Sequence, residues 1–324
     1  MRSAIIFFIL GLAGAASAAD GYRAPRTPDG VPDLQGLWSN SSLTQLERPD
    51  ELKSLVPSEA DAKAYEKAHI GKPPSDPEDT VGGLQSEWWD WDDGFARIRG
   101  QARTSWIVSP ADGKVPFTAE SKALHKARHQ RRKVDFDNPE GRTQDERCLS
   151  TDAAGPPLQN GGYNDNFQFV QTRDRLAIMA EYMHDVRIVR LGATQHLAPS
   201  LRQRMGDSIG RWEGETLVIE TTNFAPEEVE DPKGNPASDQ KVVERITRIS
   251  PTALYYEFSV SNPAVFVQTW KGEMILHPTK GPIYEFACHE GNYAMEGMLR
   301  GGQRQAAAEA AAPSAAPPAK PAGQ

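Results

Sequence analysis

Only two cysteines, Cys148 and Cys288, occur in the 324 residues, too few for a disulfide scaffold or a four-thiolate zinc site. Positive charge is also scarce. Lys and Arg number 36 against 44 Asp and Glu, a net charge of −8. Generic nucleic-acid binding draws its affinity from neutralising phosphates, so no nucleic-acid partner is expected. The chain lacks HExxH, CxxC and EF-hand patterns, a Gly-rich phosphate loop after a strand, and a GxSxG nucleophile elbow. His125 and His129 have a helical metal-ligand spacing, but Lys122, Lys126, Arg128, Arg131, Arg132 and Lys133 surround them and repel a dication. Neither a metal nor a cofactor is expected. With 38% hydrophobic and 25% charged residues the chain is not collagen, coiled coil or wholly disordered.

The one long apolar run lies at the start. Arg2, the apolar stretch 4–15 and Ala16-Ser17-Ala18 read as a secretory signal over residues 1–18, too short to span a bilayer, which takes about 20 residues. A mature chain beginning near Ala19, without a transmembrane segment, in a bacterial periplasm or secreted, is the expectation. In an exported chain the only two cysteines are expected to pair, closing a loop of 140 residues. Residues 303–324, rich in Ala and Pro, contain no aromatic or β-branched residue and read as a disordered tail.

Between these ends we expect one β-rich domain over residues 19–302. Residues 50–160 form a helical and loop insertion, with Ser58 and Thr118 placed to cap helices over EADAKAYEKAH and AESKALHKARHQRRK. Residues 163–292 carry short runs of period-two alternation, from NFQFVQT to IYEFACH, separated by turn signals such as Glu213-Gly214 and Asn262-Pro263. About ten such strands with few helices between them suggest an antiparallel up-and-down barrel, lipocalin-like, since closure removes exposed edges; a sandwich is the alternative. Gly36-Leu37-Trp38 stands where the first strand of such a barrel carries its Gly-x-Trp.

Longer phrases carry a resemblance. TPDGVPDLQGLWSN (27–40), SPADGKVPFT (109–118), DERCL (145–149), MHDVRIV (183–189), GDSIGRWEGETLVIETTNF (206–224) and CHEGNYAMEGML (288–299) resemble fixed phrases of one exported bacterial family of uncharacterised proteins. The resemblance implies an exported single domain and assigns no site residues.

Candidate chemistry comes from polar residues on apolar faces. If residues 176–189 form one long bent strand, Tyr182 and His184 share the inward face with Leu176, Ile178 and Ala180, and His184 can act as a general acid or base. The alternative is a hairpin turn around 183–185. If residues 283–290 form a strand, Tyr284, Phe286, Cys288 and Glu290 point inward, and a desolvated Glu290 carboxylate has a raised pKa unless an arginine such as Arg187 or Arg211 neutralises it. These residues support a cofactor-free acid/base enzyme of lyase, isomerase or hydrolase type, with His184 and Glu290 catalytic. Tyr163, Asn166, Tyr182 and Arg187 would orient an apolar or glycosidic substrate. The alternative is a periplasmic ligand carrier using Trp38, Trp212, Trp270 and the Trp88-Trp89-Asp90-Trp91 stretch, or an envelope interaction protein.

Overall fold

The computed structural model describes residues 21–70, 94–132, 135–144, 146–150, 153–161, 164–225, 240–288 and 293–311. The expected signal, Tyr163, Trp88, Trp89, Trp91 and Glu290 lie outside these residues.

The described chain is mainly β. Strands β1 (Gly36–Ser39), β2 (Arg97–Ile98), β3 (Gln101–Ala102) and β4 (Ile107–Ser109) are short. Eight longer ones follow: β5 (Asn166–Gln171), β6 (Arg175–Ala180), β7 (Val186–Leu191), β8 (Asp207–Glu213), β9 (Thr216–Thr222), β10 (Lys241–Ser250), β11 (Ala253–Ser261) and β12 (Trp270–Pro278). β1 and β5 to β12 pair in sequence order, and β12 returns to β1, so nine strands close a barrel; β4 adds to the free half of the β12 flank. The barrel is not purely antiparallel, because β7 and β8 run parallel. An odd number of strands cannot close with every neighbour antiparallel, and the crossover between Leu191 and Asp207 supplies the one parallel contact that a nine-strand ring needs.

The two expected caps are present. Helix α1 (Glu59–His69) starts with the Asp61 amide donating to Ser58 Oγ at 3.1 Å. Helix α2 (Ala119–Arg132) starts with the Ser121 amide donating to Thr118 Oγ1 at 3.1 Å. Together with the β2–β3 hairpin these elements wrap the barrel, and Arg103 from the strap before β4 donates to Glu273 on the outer face of β12 at 2.6 Å. Helix α3 (Tyr293–Ala311) carries the chain past Gln303, where the tail was expected to begin. Alanines are the strongest helix formers, and the run continues until Pro313 approaches. Gly302 lets α3 approach Phe136, whose ring would lie 2.1 Å from a Cβ at that position.

One barrel end is sealed by the N-terminal segment. Leu34 is fully buried, its amide donates to Gln171 Oε1 at 2.9 Å, and Trp38 Nε1 donates to the Leu34 carbonyl at 3.0 Å. Arg248 stacks 5.5 Å from the Trp38 ring and donates to the Asp33 carbonyl. Trp38 thus plugs this end and does not face the cavity at the other, contrary to the ligand contact that the carrier alternative gave it. Inward rows such as Val242, Glu244 and Ile246, or Leu254, Tyr256, Phe258 and Val260, fill the middle, and Gly272 leaves room for the Phe258 ring, which a Cβ would meet at 2.1 Å. The other end is different.

Candidate functional site

At that other end residues 153–161 dip into the barrel, with Ala154 and Leu158 buried, and Gly155, Pro156 and Pro157 form the floor of a cavity of about 260 Å³. Leu46, Val115 and Phe117 supply one wall; Met205, Phe224, Val260, Val265, Phe266 and Trp270 supply the rest. The aromatic rings brace one another, with Phe117 and Phe266 5.5 Å apart and Trp270 edge-on to Phe266 at 6.0 Å and to Phe258 at 5.6 Å. Polar groups are few and lie around the apolar walls: His125 from α2, Gln159, Arg204 and Gln240. The Trp270 indole N–H has no hydrogen-bond partner among the described residues.

Below the floor sits a buried polar network. Arg187 and Glu244 form a bidentate pair at 2.5 and 2.7 Å, both side chains out of reach of solvent. Tyr256 donates to Glu244 Oε1 at 2.8 Å and accepts the Leu158 amide at 3.0 Å, while Arg187 Nε donates to the Ala154 carbonyl at 2.9 Å. Burial opposes the Arg187 charge, but the Glu244 carboxylate and its hydrogen bonds outweigh it and hold the guanidinium's pKa above its ordinary value. Burial, then the same carboxylate, pushes the Tyr256 phenol well up, so it stays a neutral donor. The network bolts the floor loop to the barrel wall through Ala154 and Leu158. Arg187, expected to orient a substrate, is saturated by these partners and lies inside the wall; the glutamate that neutralises it is Glu244.

The expected catalytic histidine lies elsewhere. Residues 176–189 are not one strand but the β6–β7 hairpin, turned at Tyr182–His184, where Met183 and His184 have φ of 59° and 53°. The turn inverts the alternation after Ala180. Arg187 and Val189 face inward, whereas Val186 and Ile188 are 43% and 48% exposed. His184 therefore points away from the interior, and the hairpin alternative is the observed one. Nor do residues 283–288 form a strand. β12 is already paired with β11 on one side and with β1 and β4 on the other, so a closed barrel offers this segment no edge.

It becomes an irregular strap over the hairpin. The Phe286 amide donates to His184 Nε2 at 3.0 Å, the Tyr284 amide donates to Glu181 Oε1 at 2.9 Å, and the Tyr182 and Phe286 rings meet at 4.8 Å. Asn166 donates to the buried Glu181 carboxylate at 2.6 Å. The Cys148–Cys288 disulfide then fastens the strap, as expected for the only two cysteines. Asn166, Tyr182 and His184, expected at a substrate, are parts of this clasp. Removing the ring of His184 by alanine should cost about 1 kcal/mol, because the Phe286 amide loses its acceptor. A thermal melt in which His184→Ala matches or exceeds the parent would contradict the clasp.

Of the expected binding residues, Trp270 lines the cavity, while Trp212 sits at the sealed end, opposite Leu217. The hairpin touches the cavity only indirectly: Asp185 accepts from Arg204 at 3.0 Å, and Gln144 holds the other arm of that guanidinium. Arg204 arrives on the β7–β8 crossover, which a third buried carboxylate anchors. Asp207 accepts from the Leu197 amide, His196 and Arg190 at 2.8 to 3.0 Å; burial works against its charge, and these donors still hold its pKa below the usual carboxylate range. The remaining cavity residues gave no signal in the sequence, since Val115, Gly155, Met205, Phe224 and Phe266 share neither a strand nor a spacing.

No group of three or more His, Cys, Asp or Glu among the described residues is placed to hold a metal ion. No described helix is long and apolar enough to cross a membrane. No protein-family model and no curated protein matches the chain.

Proposed function

We propose that this protein is an exported, non-catalytic binding protein for a small, largely apolar molecule held at the open end of the barrel. The observation that carries the reading is the aromatic-walled cavity of about 260 Å³. It holds the equivalent of about nine waters at the bulk share of about 30 Å³ each, enough for a ligand of one or two rings. Apolar walls with a few polar groups are the usual make-up of a small-molecule site. The signal-like start and the disulfide support export, to a periplasm or outside the cell. A lipocalin-like relationship and membership of the exported family resembled by the phrases above fit the same picture. A carrier is favoured over an acid/base enzyme because His184, the group assigned the proton transfer, is engaged by the strap rather than by the cavity.

Calorimetry with the neutral probe 2-naphthamide tests the reading. The parent protein binds it at one site; Phe117→Ala, which strips one wall, weakens binding about tenfold, in line with roughly 1.5 kcal/mol for an aromatic contact. Trp212→Phe, at the sealed end, leaves it unchanged. No binding by the parent, or equal binding by Phe117→Ala, would overturn the proposal.

A further inference from the structure

We propose that the occupant is an aryl carbonyl compound, its ring against Phe117 and Phe266 and its oxygen accepting a hydrogen bond from the Trp270 indole N–H. This rests on the small-molecule reading above and adds the polar group that the site selects.

The argument starts from the buried tryptophans. An indole N–H taken out of water finds an acceptor in most folded proteins. Trp38 and Trp106 obey this rule: Trp38 Nε1 donates to the Leu34 carbonyl at 3.0 Å and Trp106 Nε1 to Asn160 Oδ1 at 2.8 Å. Trp270 does not. It is only 5% exposed, and its Nε1 is closed to solvent without a hydrogen-bond partner among the described residues. A donor left unpaired in this way costs more than an ordinary hydrogen bond contributes. Other described side-chain atoms are buried without a partner, among them Asn40 Oδ1, Arg48 Nε and His196 Nε2, but their residues do not line the cavity. Trp270 does line it.

The protein around Trp270 offers the N–H nothing to bond. Trp270 opens β12 opposite Val260 of β11, and its ring stands edge-on to Phe258 and Phe266. Val265 closes the same wall. All four side chains are hydrocarbon, so an acceptor comes from the occupant of the cavity. A hydroxyl would bring a proton of its own, which these neighbours would leave unpaired. A carbonyl oxygen accepts and brings no donor. The rest of the ligand follows from the walls. Phe117 and Phe266 lie 5.5 Å apart and present aromatic surface to a further ring. The floor at Gly155, Pro156 and Pro157, with Arg187, Glu244 and Tyr256 filling the barrel behind it, keeps the molecule compact.

Two probes of one shape decide: 2-acetylnaphthalene and 2-isopropenylnaphthalene, which differ only in C=O against C=CH₂. The matching secondary alcohol and 2-naphthamide are run beside them, all titrated calorimetrically into the full exported chain. The ketone is expected to bind about fivefold tighter than the alkene or the alcohol, the net yield of one hydrogen bond. In Trp270→Phe that preference disappears. In the parent protein, which needs no variant to fold, the Trp270 indole proton resonates further downfield with the ketone bound than with the alkene bound. Equal affinity for ketone and alkene, or no downfield difference between the two complexes, overturns the acceptor assignment; the N–H then rests on a neighbouring phenyl face, and the small-molecule reading stands. A preference that survives Trp270→Phe overturns Trp270 as its source. Alcohol binding as tight as that of the ketone overturns the carbonyl. Binding of 2-naphthamide without the ketone overturns it in favour of a ligand that donates. Failure of all four probes overturns both this inference and the reading it rests on.

Discussion

Replacing Glu244 by glutamine lowers the stability of the barrel by about 3–5 kcal/mol, which for a domain of this size is a fall in melting temperature on the order of 10 °C. The size follows from what is left behind. Arg187 is fully buried, and its two guanidinium arms are committed to Glu244 at 2.5 and 2.7 Å. Glutamine keeps one acceptor oxygen but no charge, and its NH2 group faces the guanidinium, so a positive charge remains in the barrel interior with only neutral acceptors, that oxygen and the Ala154 carbonyl. Arg187→Met alone has a comparable cost, since it strands the Glu244 carboxylate with the Tyr256 hydroxyl as its donor. Arg187→Met combined with Glu244→Leu costs clearly less than the sum of the two, because the charge that made each single change expensive is then gone. A loss below about 1 kcal/mol for Glu244→Gln would mean that the pair is not buried as described. The same variants should weaken ligand binding as well, because the network holds Ala154 and Leu158 and so sets the height of the cavity floor.

The second large effect is expected from the disulfide. Cys148 and Cys288 close a loop of 140 residues, and chain entropy alone assigns such a link about 5 kcal/mol, an upper figure. We expect Cys148→Ser with Cys288→Ser to lose about 2–5 kcal/mol. The strap should lose protection first. Without the bond it keeps the Tyr284 amide on Glu181, the Phe286 amide on His184 and the ring contact with Tyr182, which are few contacts for a strand-free segment. Hydrogen exchange should show residues 283–288 opening while β9 to β11 keep their protection. An unchanged melting temperature after reduction, or uniform loss of protection across the barrel, would contradict this.

Much of the barrel was legible in the sequence because its strands are half-buried and alternate. NFQFVQ, RLAIMA and LYYEFSVS place every second residue inward, and Ser58 and Thr118 announce their helices through their side-chain oxygens. Other features followed from constraints that local patterns do not carry. The β6–β7 turn uses Met183 and His184 at positive φ, where glycine or asparagine would have signalled it, so the alternation ran on through the turn in the sequence reading. IYEFACH alternates as well as any strand, yet closure of the barrel leaves its described residues 283–288 without a strand partner. The parallel β7–β8 contact is a consequence of strand number, which only the assembled ring defines. The cavity was the least legible feature, because its walls come from eight separate stretches of chain. Of its lining residues Trp270 alone was named as a ligand contact, for its aromatic surface, and His125 was considered only as a metal ligand.

The claim on which the rest depends is that the open end of the barrel takes a ligand and the sealed end does not. Indole N–H resonances report on both ends at once. Trp38 Nε1 donates to the Leu34 carbonyl at the sealed end, Trp106 Nε1 donates to Asn160 Oδ1 at 2.8 Å, and the Trp270 ring lines the cavity. In a two-dimensional ¹H–¹⁵N titration with 2-naphthamide, the Trp270 indole peak should move saturably and vanish from the spectrum of Trp270→Phe. The Trp38 and Trp212 peaks should stay in place. A titration in which the Trp270 peak is unmoved, or in which Trp38 and Trp212 move with it, would contradict the account.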